Sequence, residues 1–179
     1  ACFDIDGVLC VDPNEEQNDD GEKYRDFLLH AAPLYIPRSK IGTLVTSRLE
    51  KYRTETEQWL VNHSIKYDKL VMLDLPNQKA RQQANCHGTH KAKEFKKSQY
   101  KLFVESDLGQ AKEINNLTKK PVFCTANFEM IFQSQSLIYN IKSGKYFPVL
   151  RRFALKVRTK IRSVKKKWIA KNKVSVNAN

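Results

Sequence analysis

Cys2-Phe3-Asp4-Ile5-Asp6-Gly7-Val8-Leu9 is the stretch on which the reading of this chain turns. A short apolar lead-in delivers an aspartate, a second aspartate follows two residues on, and a glycine comes next. If the run is a strand throughout, the two-residue period sends Asp4 and Asp6 to the same side. If the chain turns just past Asp4, it presents the carboxylate of one and the backbone carbonyl of the other. Both arrangements put two hard oxygen donors at the carboxyl end of a strand, where open α/β sheets bind ligands. Such donors suit Mg²⁺, which keeps waters and a substrate phosphate among its other ligands. Gly7 allows the sharp turn.

Beyond this stretch, apolar runs alternate with helical periods. Residues 11–22 are polar and acidic, punctuated by Pro13 and Gly21. Their acids are expected in solvent near Asp6, with a contact to Mg²⁺ as the alternative. Tyr24, Phe27, Leu28 and Ala31 mark a helix that Pro33 and Pro37 close. Ile41 to Thr46 reads as a second strand, apolar enough to be buried on both faces, ending in Thr46-Ser47-Arg48. A helix from Leu49 to His63 turns Tyr52, Thr56, Trp59 and Leu60 inward. Leu70 to Leu73 is a third strand, and a polar helix from Asn77 to Ala84 follows.

Thr89 is then read as the cap of a helix from Lys91 to Ser98. A lysine in a first helical turn meets the positive end of the helix, a mismatch that a bound phosphate would relieve. Lys93, Lys96 and Lys97 compete with Lys91 for that role. Lys101 to Asp107 is a fourth strand ending in the acids Glu105 and Asp107. Next come a helix from Gly109 to Leu117 and a short strand from Pro121 to Cys124. Alternation of this kind predicts parallel βαβ units.

The stretch Asp4-Ile5-Asp6-Gly7-Val8 resembles the first motif of the haloacid dehalogenase (HAD) superfamily in its phosphatase form. Thr46, Lys91 and Glu105-Ser106-Asp107 follow in the order of that family's second, third and fourth motifs. The fourth departs in letters, since the family shows Asp-Asp or Gly-Asp there. The resemblance implies an α/β fold over residues 1–130, a three-layer α/β/α Rossmann-like parallel sheet whose first strand is shortened at its start. The gaps between motifs leave no room for a separate cap domain. It further implies an Mg²⁺-dependent phosphatase acting on a phosphorylated small molecule. Asp4 would attack phosphorus to form an aspartyl-phosphate, and Asp6 would serve as acid and then base. Thr46 and Lys91 would stabilise charge on the phosphoryl oxygens, with Gly7, Ser47 and Arg48 completing the substrate side. Mg²⁺ would be held by Asp4, Asp6 and either Glu105 or Asp107. The alternative is a non-catalytic HAD-like module that binds phosphate or a partner.

Composition adds the rest. The chain has 179 residues, 41% of them hydrophobic, enough for a packed core. No apolar run approaches the ~20 residues a bilayer span needs. Four scattered cysteines point to reduced thiols and a cytoplasmic setting. Cys86 to His90 lacks the second ligand pair that a zinc site requires. The chain begins three residues before Asp4, so an upstream segment is expected.

The net charge of +13 is lopsided. Residues 142–179 carry 13 bases and no acid, while elsewhere 19 bases match 19 acids. Residues 131–149 read as a linker. Beyond it Leu150, Phe153, Val157, Ile161, Val164 and Trp168 form one apolar stripe, so residues 150–179 read as a basic amphipathic helix and tail. Its segment 150–171 is expected on an anionic membrane surface, at the inner face, or on a protein partner. Nucleic acid is disfavoured, because no aromatic-interleaved RNA motif accompanies the charge.

Overall fold

The structure, a computed structural model, describes residues 1–132. The basic helix and tail expected over 150–179 lie outside the described residues, as does all but the start of the expected linker. The elements are β1 (Cys2–Phe3), α1 (Glu22–His30), β2 (Ile41–Leu49), a short 3₁₀ turn (Glu50–Tyr52) and α2 (Arg53–Asn62). They continue with β3 (Tyr67–Leu73), α3 (Gln78–Ala84), α4 (His87–Lys97), β4 (Phe103–Glu105), α5 (Leu108–Thr118), β5 (Val122–Cys124) and β6 (Glu129–Ile131). The six strands form one sheet in the order β3-β2-β1-β4-β5-β6. All pairs are parallel except β5 with β6. This is an α/β fold with a mostly parallel, Rossmann-like sheet.

Strand periodicity explains how the sheet is covered. Neighbouring residues point to opposite faces, and they fall into two different apolar clusters. Leu44 and Val104 pack with Phe27, Leu28, Trp59 and Leu60 from α1 and α2. Val45 and Phe103 pack with Ala92, Phe95, Ala111 and Ile114 from α4 and α5. A parallel sheet covered on both faces buries its strands at nearly every position, as it does β2. Trp59 anchors the first cluster: it is fully buried, and its Nε1–H donates to the Ala31 carbonyl at 2.8 Å.

Several boundaries differ from the sequence reading. The strand in the opening stretch ends at Phe3. The chain then turns so tightly that the amides of Val8, Leu9 and Cys10 all point at the Ile5 carbonyl. Of the two arrangements open to Asp4 and Asp6, the turn is the one adopted. β2 does not stop at Thr46 but runs to Leu49, with an irregular register between Val45 and Leu49. α4 begins at His87, and Thr89 donates to the Cys86 carbonyl instead of capping Lys91. Packing against α5 overrides the weak propensity of His87 and Gly88. The antiparallel edge strand β6 crosses the boundary expected at residue 130.

The acidic loop is also tied down rather than left wholly in solvent. Asp19 accepts from the amides of Gly21 and Tyr24 at the start of α1. Asp20 accepts from Lys51 at 2.9 Å, the Tyr52 hydroxyl at 2.8 Å and the Gln78 amide at 3.1 Å. These bonds link the loop to the 3₁₀ turn and to α3.

Trp59→Ala is expected to cost about 3–5 kcal/mol, since it removes both the buried indole and its hydrogen bond. Urea denaturation followed by circular dichroism measures this. A loss under about 1 kcal/mol would contradict the packing described.

Candidate functional site

The strand order reverses direction where β1 lies between β2 and β4, and the ends of β1 and β4 leave the sheet together. Phe3 pairs with Val104, and the Asp4 amide donates to the Val104 carbonyl at 3.0 Å. Asp4 and Glu105 therefore emerge side by side at the switch point, where the sheet has room for a ligand. Lys91 reaches them from the second turn of α4. Its ammonium donates to Asp4 Oδ2 at 2.5 Å, to Glu105 Oε2 at 2.7 Å and to Gln110 Oε1 at 2.8 Å. All three donors are engaged, and both acids and the base are buried.

The second oxygens of these carboxylates are also satisfied. Asp4 Oδ1 accepts from the Ile5 amide at 2.8 Å. Glu105 Oε1 accepts from the amides of Ser106 and Asp107, at 2.9 and 3.1 Å. Burial pushes the Asp4 carboxyl well above the usual carboxylate range. The Lys91 ammonium opposes that shift, while the charges of Glu105 and Asp6 add to it. For Lys91, burial works against the charged form, but the two carboxylates outweigh it and raise the lysine. One ammonium serves two acids, so the cluster holds more acidic groups than basic ones.

Asp6 is organised by a second buried base. Arg48 Nε lies 3.1 Å from each Asp6 carboxylate oxygen, and Nη2 lies 2.6 Å from Oδ1. The same Nη2 donates to Cys10 Sγ at 3.2 Å, and the Cys10 thiol donates to Asp6 Oδ1 at 3.5 Å. Burial, reinforced by the Asp6 charge, raises the Cys10 thiol and keeps it protonated. The Asp6 carbonyl accepts from the Ser106 hydroxyl at 3.2 Å. Gly7 sits at φ +69°, and a Cβ there would lie 2.3 Å from Ser106 Oγ, so the turn accepts only glycine.

A cavity of about 1130 Å³ opens over this rim. Of the residues singled out from the sequence, Asp4, Asp6, Gly7, Ser47, Lys91, Glu105 and Asp107 border it. Thr46 and Arg48 do not. Both are fully buried; Thr46 Oγ1 accepts from the Arg48 amide, and the Arg48 guanidinium is occupied by Asp6, Cys10 and Thr56. Arg48 thus positions Asp6 rather than lying against a ligand. The continuation of β2 past Thr46 is the reason: Ser47, not Thr46, meets the cavity. Asp107 borders the cavity while its Oδ1 caps α5 through the Gln110 amide at 2.7 Å.

Arg81, His87, Ser106 and Gln110, which were not foreseen, also line the cavity, as does Asp12 from the acidic loop expected near Asp6. Burial, with Asp6 and Glu105 close by, raises the Asp12 carboxyl. Burial, with Arg81 and Lys91 nearby, lowers His87. Gln110 had a readable signal. Asp107 and Gln110 stand at capping-box spacing, but the glutamine side chain turns to Lys91 instead of back to the cap. Two buried polar atoms on residues of the cavity wall, Ser47 Oγ and Arg81 Nε, have no hydrogen-bond partner. Such orphans cost about 1–3 kcal/mol each unless a ligand or water satisfies them.

Among the described residues, no group of three or more His, Cys, Asp or Glu side chains is arranged as a metal cluster. The donors available to Mg²⁺ are the Asp4 carboxylate, the Asp6 carbonyl and Glu105 or Asp107. They fit a hard cation in kind, because each of them is an oxygen donor. Burial first, and then neighbouring carboxylates, raise Asp4 and Asp12, and added positive charge would offset the part due to those carboxylates. Compared with known proteins, the chain matches no family model, no curated protein and no solved structure.

Lys91→Met would leave Asp4 and Glu105 buried without a counter-charge, an expected loss of about 3–5 kcal/mol at pH 7.5. The sign with pH follows from Asp4. Its carboxyl takes up a proton more readily in the folded chain than in the unfolded one, and more so without the ammonium. The folded variant thus gains stability as pH falls through the window between the raised value and the ordinary one. The deficit relative to wild type is expected to shrink by pH 5. Equal deficits at both pH values in urea titrations would contradict the assignment.

Proposed function

We propose that this chain is a phosphomonoester hydrolase of the HAD type, working through Asp4 with Mg²⁺ as cofactor. The observation that carries the reading is the Lys91 ammonium shared by Asp4 and Glu105, side chains 87 and 14 residues away in the chain. Three separate segments put their charges on one rim at the switch point of the sheet, as phosphoryl chemistry requires.

In the proposed reaction an Asp4 oxygen attacks phosphorus, and the bond from phosphorus to the leaving oxygen breaks. A proton passes from Asp6 to that oxygen. Water then attacks the aspartyl-phosphate, giving its proton to Asp6 and freeing Asp4 and inorganic phosphate. Lys91 holds Asp4 in its turn and offsets charge on the phosphoryl oxygens. Arg48 and the Cys10 thiol fix the Asp6 carboxylate, so that it meets the leaving oxygen in one orientation. Gly7 keeps that wall of the cavity free of a side chain. Held by Asp4, the Asp6 carbonyl and Glu105 or Asp107, Mg²⁺ would supply positive charge that lessens repulsion between Asp4 and the phosphate.

A second reading is a module that binds phosphate without turnover. In its favour, every Lys91 donor and every Asp4 and Glu105 oxygen already has a partner inside the protein.

Hydrolysis of p-nitrophenyl phosphate in Mg²⁺ decides between them. The proposal expects turnover that chelator abolishes, reduction to background in Asp4→Asn, and a loss of about 10²–10⁴-fold in Asp6→Asn. Turnover that survives in Asp4→Asn would overturn the role given to Asp4. Phosphate binding with no turnover on any of a broad set of monoesters would select the second reading.

A further inference from the structure

The cavity is larger than a phosphoryl group needs, and one of its walls is unexplained by the chemistry at Asp4. Arg81 projects from α3 and is 9% exposed. Among the described residues no carboxylate pairs with its guanidinium. Its hydrogen-bond partners among the described residues are neutral oxygens, the Ser47 carbonyl at 3.4 Å, Asn18 Oδ1 at 3.1 Å and the Tyr24 hydroxyl, and its Nε–H has none. The adjacent Ser47 hydroxyl is likewise buried and without a partner. Both residues border the same cavity as Asp4 and Lys91.

Arginine cannot lose its charge in a protein, and its planar fork matches the oxygens of a carboxylate or phosphate. A buried guanidinium that faces a cavity with neutral partners and an open donor is a site waiting for an anion. The other buried bases are accounted for: Lys91 has Asp4 and Glu105, and Arg48 has Asp6.

We propose that Arg81 and Ser47 form a second anion-binding subsite, so that the preferred ligand carries a carboxylate or second phosphate besides the phosphoryl group held at Asp4 and Lys91. The inference rests on the hydrolase reading for the first group only. The second group need not react, and the subsite's role is to orient the ligand and to select it over simple monoesters.

Binding without turnover tests it. Isothermal titration of the full chain in Mg²⁺ compares methylphosphonate with phosphonoacetate and methylenediphosphonate, which add a carboxylate or a second phosphonate. Wild type is expected to bind one of the doubly charged probes about 10–100-fold tighter than methylphosphonate. The probe preferred names the second group. Arg81→Met is expected to erase that preference and leave methylphosphonate affinity within about twofold, with Arg81→Lys retaining part of it. Ser47→Ala is expected to weaken the preference in the same direction. Asn18→Ala removes a contact of Arg81 but keeps the guanidinium, and is expected to keep the preference. Absence of preference in wild type, equal weakening of all probes in Arg81→Met, or the same loss in Asn18→Ala would overturn the subsite. A chain that shows the preference but hydrolyses no monoester retains the subsite while losing the hydrolase reading.

Discussion

A single ammonium shared between two buried carboxylates is the constraint around which the described fold is arranged. Lys91, Asp4 and Glu105 come from α4, the turn just after β1, and β4, and Gln110 of α5 supplies the third acceptor. Four segments at the carboxyl ends of the two central strands are thereby tied through one nitrogen. Removing charges from water is costly, and attraction repays that cost only when geometry is good and the remaining lone pairs are satisfied. Here they are, by the amides of Ile5, Ser106 and Asp107. The cluster still holds more acid than base, which is an expensive arrangement for stability alone. Sites that shift carboxylates upward by burial and crowding are characteristic of chemistry and binding.

A second pair repeats the arrangement two residues along the chain. Arg48 neutralises Asp6 from the other neighbour of β1, with Cys10 completing the grip. The tight turn after Phe3 is what separates the two aspartates. It sends Asp4 toward α4 and Asp6 toward β2, so each finds its own base. Gly7 makes this possible by taking the left-handed conformation against Ser106. The turn, the two ion pairs and the junction of β1 with β4 form one mechanical unit.

Around that unit the cavity has a charged floor and a partly apolar rim. Leu34, Tyr35 and Phe128 border it while remaining largely exposed. The acidic loop reaches the same region and is held in place by Asp19 and Asp20. That loop brings Asn18 to Arg81 and Asp12 to the cavity wall. A loop that reads as solvated is therefore a structural part of the site, because its acids find backbone amides and bases that local sequence does not reveal.

Much of the fold was legible from periodicity. Helical spacing identified Tyr24, Phe27 and Leu28, and Tyr52, Thr56, Trp59 and Leu60, as inward-facing residues, and all are buried. Apolar runs located five strands, because a strand covered on both faces cannot hide its composition. Order along the chain and position at strand ends and a helix start singled out Asp4, Asp6, Lys91 and Glu105, which meet on one rim. What the chain order could not supply was pairing over distance. Arg48 looked like a ligand-facing residue, yet it turned inward because Asp6 lay across the β1–β2 boundary with a charge to match. Thr46 was displaced from the cavity by Ser47 because β2 ran on for three more residues. Arg81, in a polar helix, gave no local sign of burial. Local spacing thus determined which elements form and which faces they bury. Only the packing of those elements decided which charge meets which, since an ion pair depends on separation in space and is blind to separation along the chain.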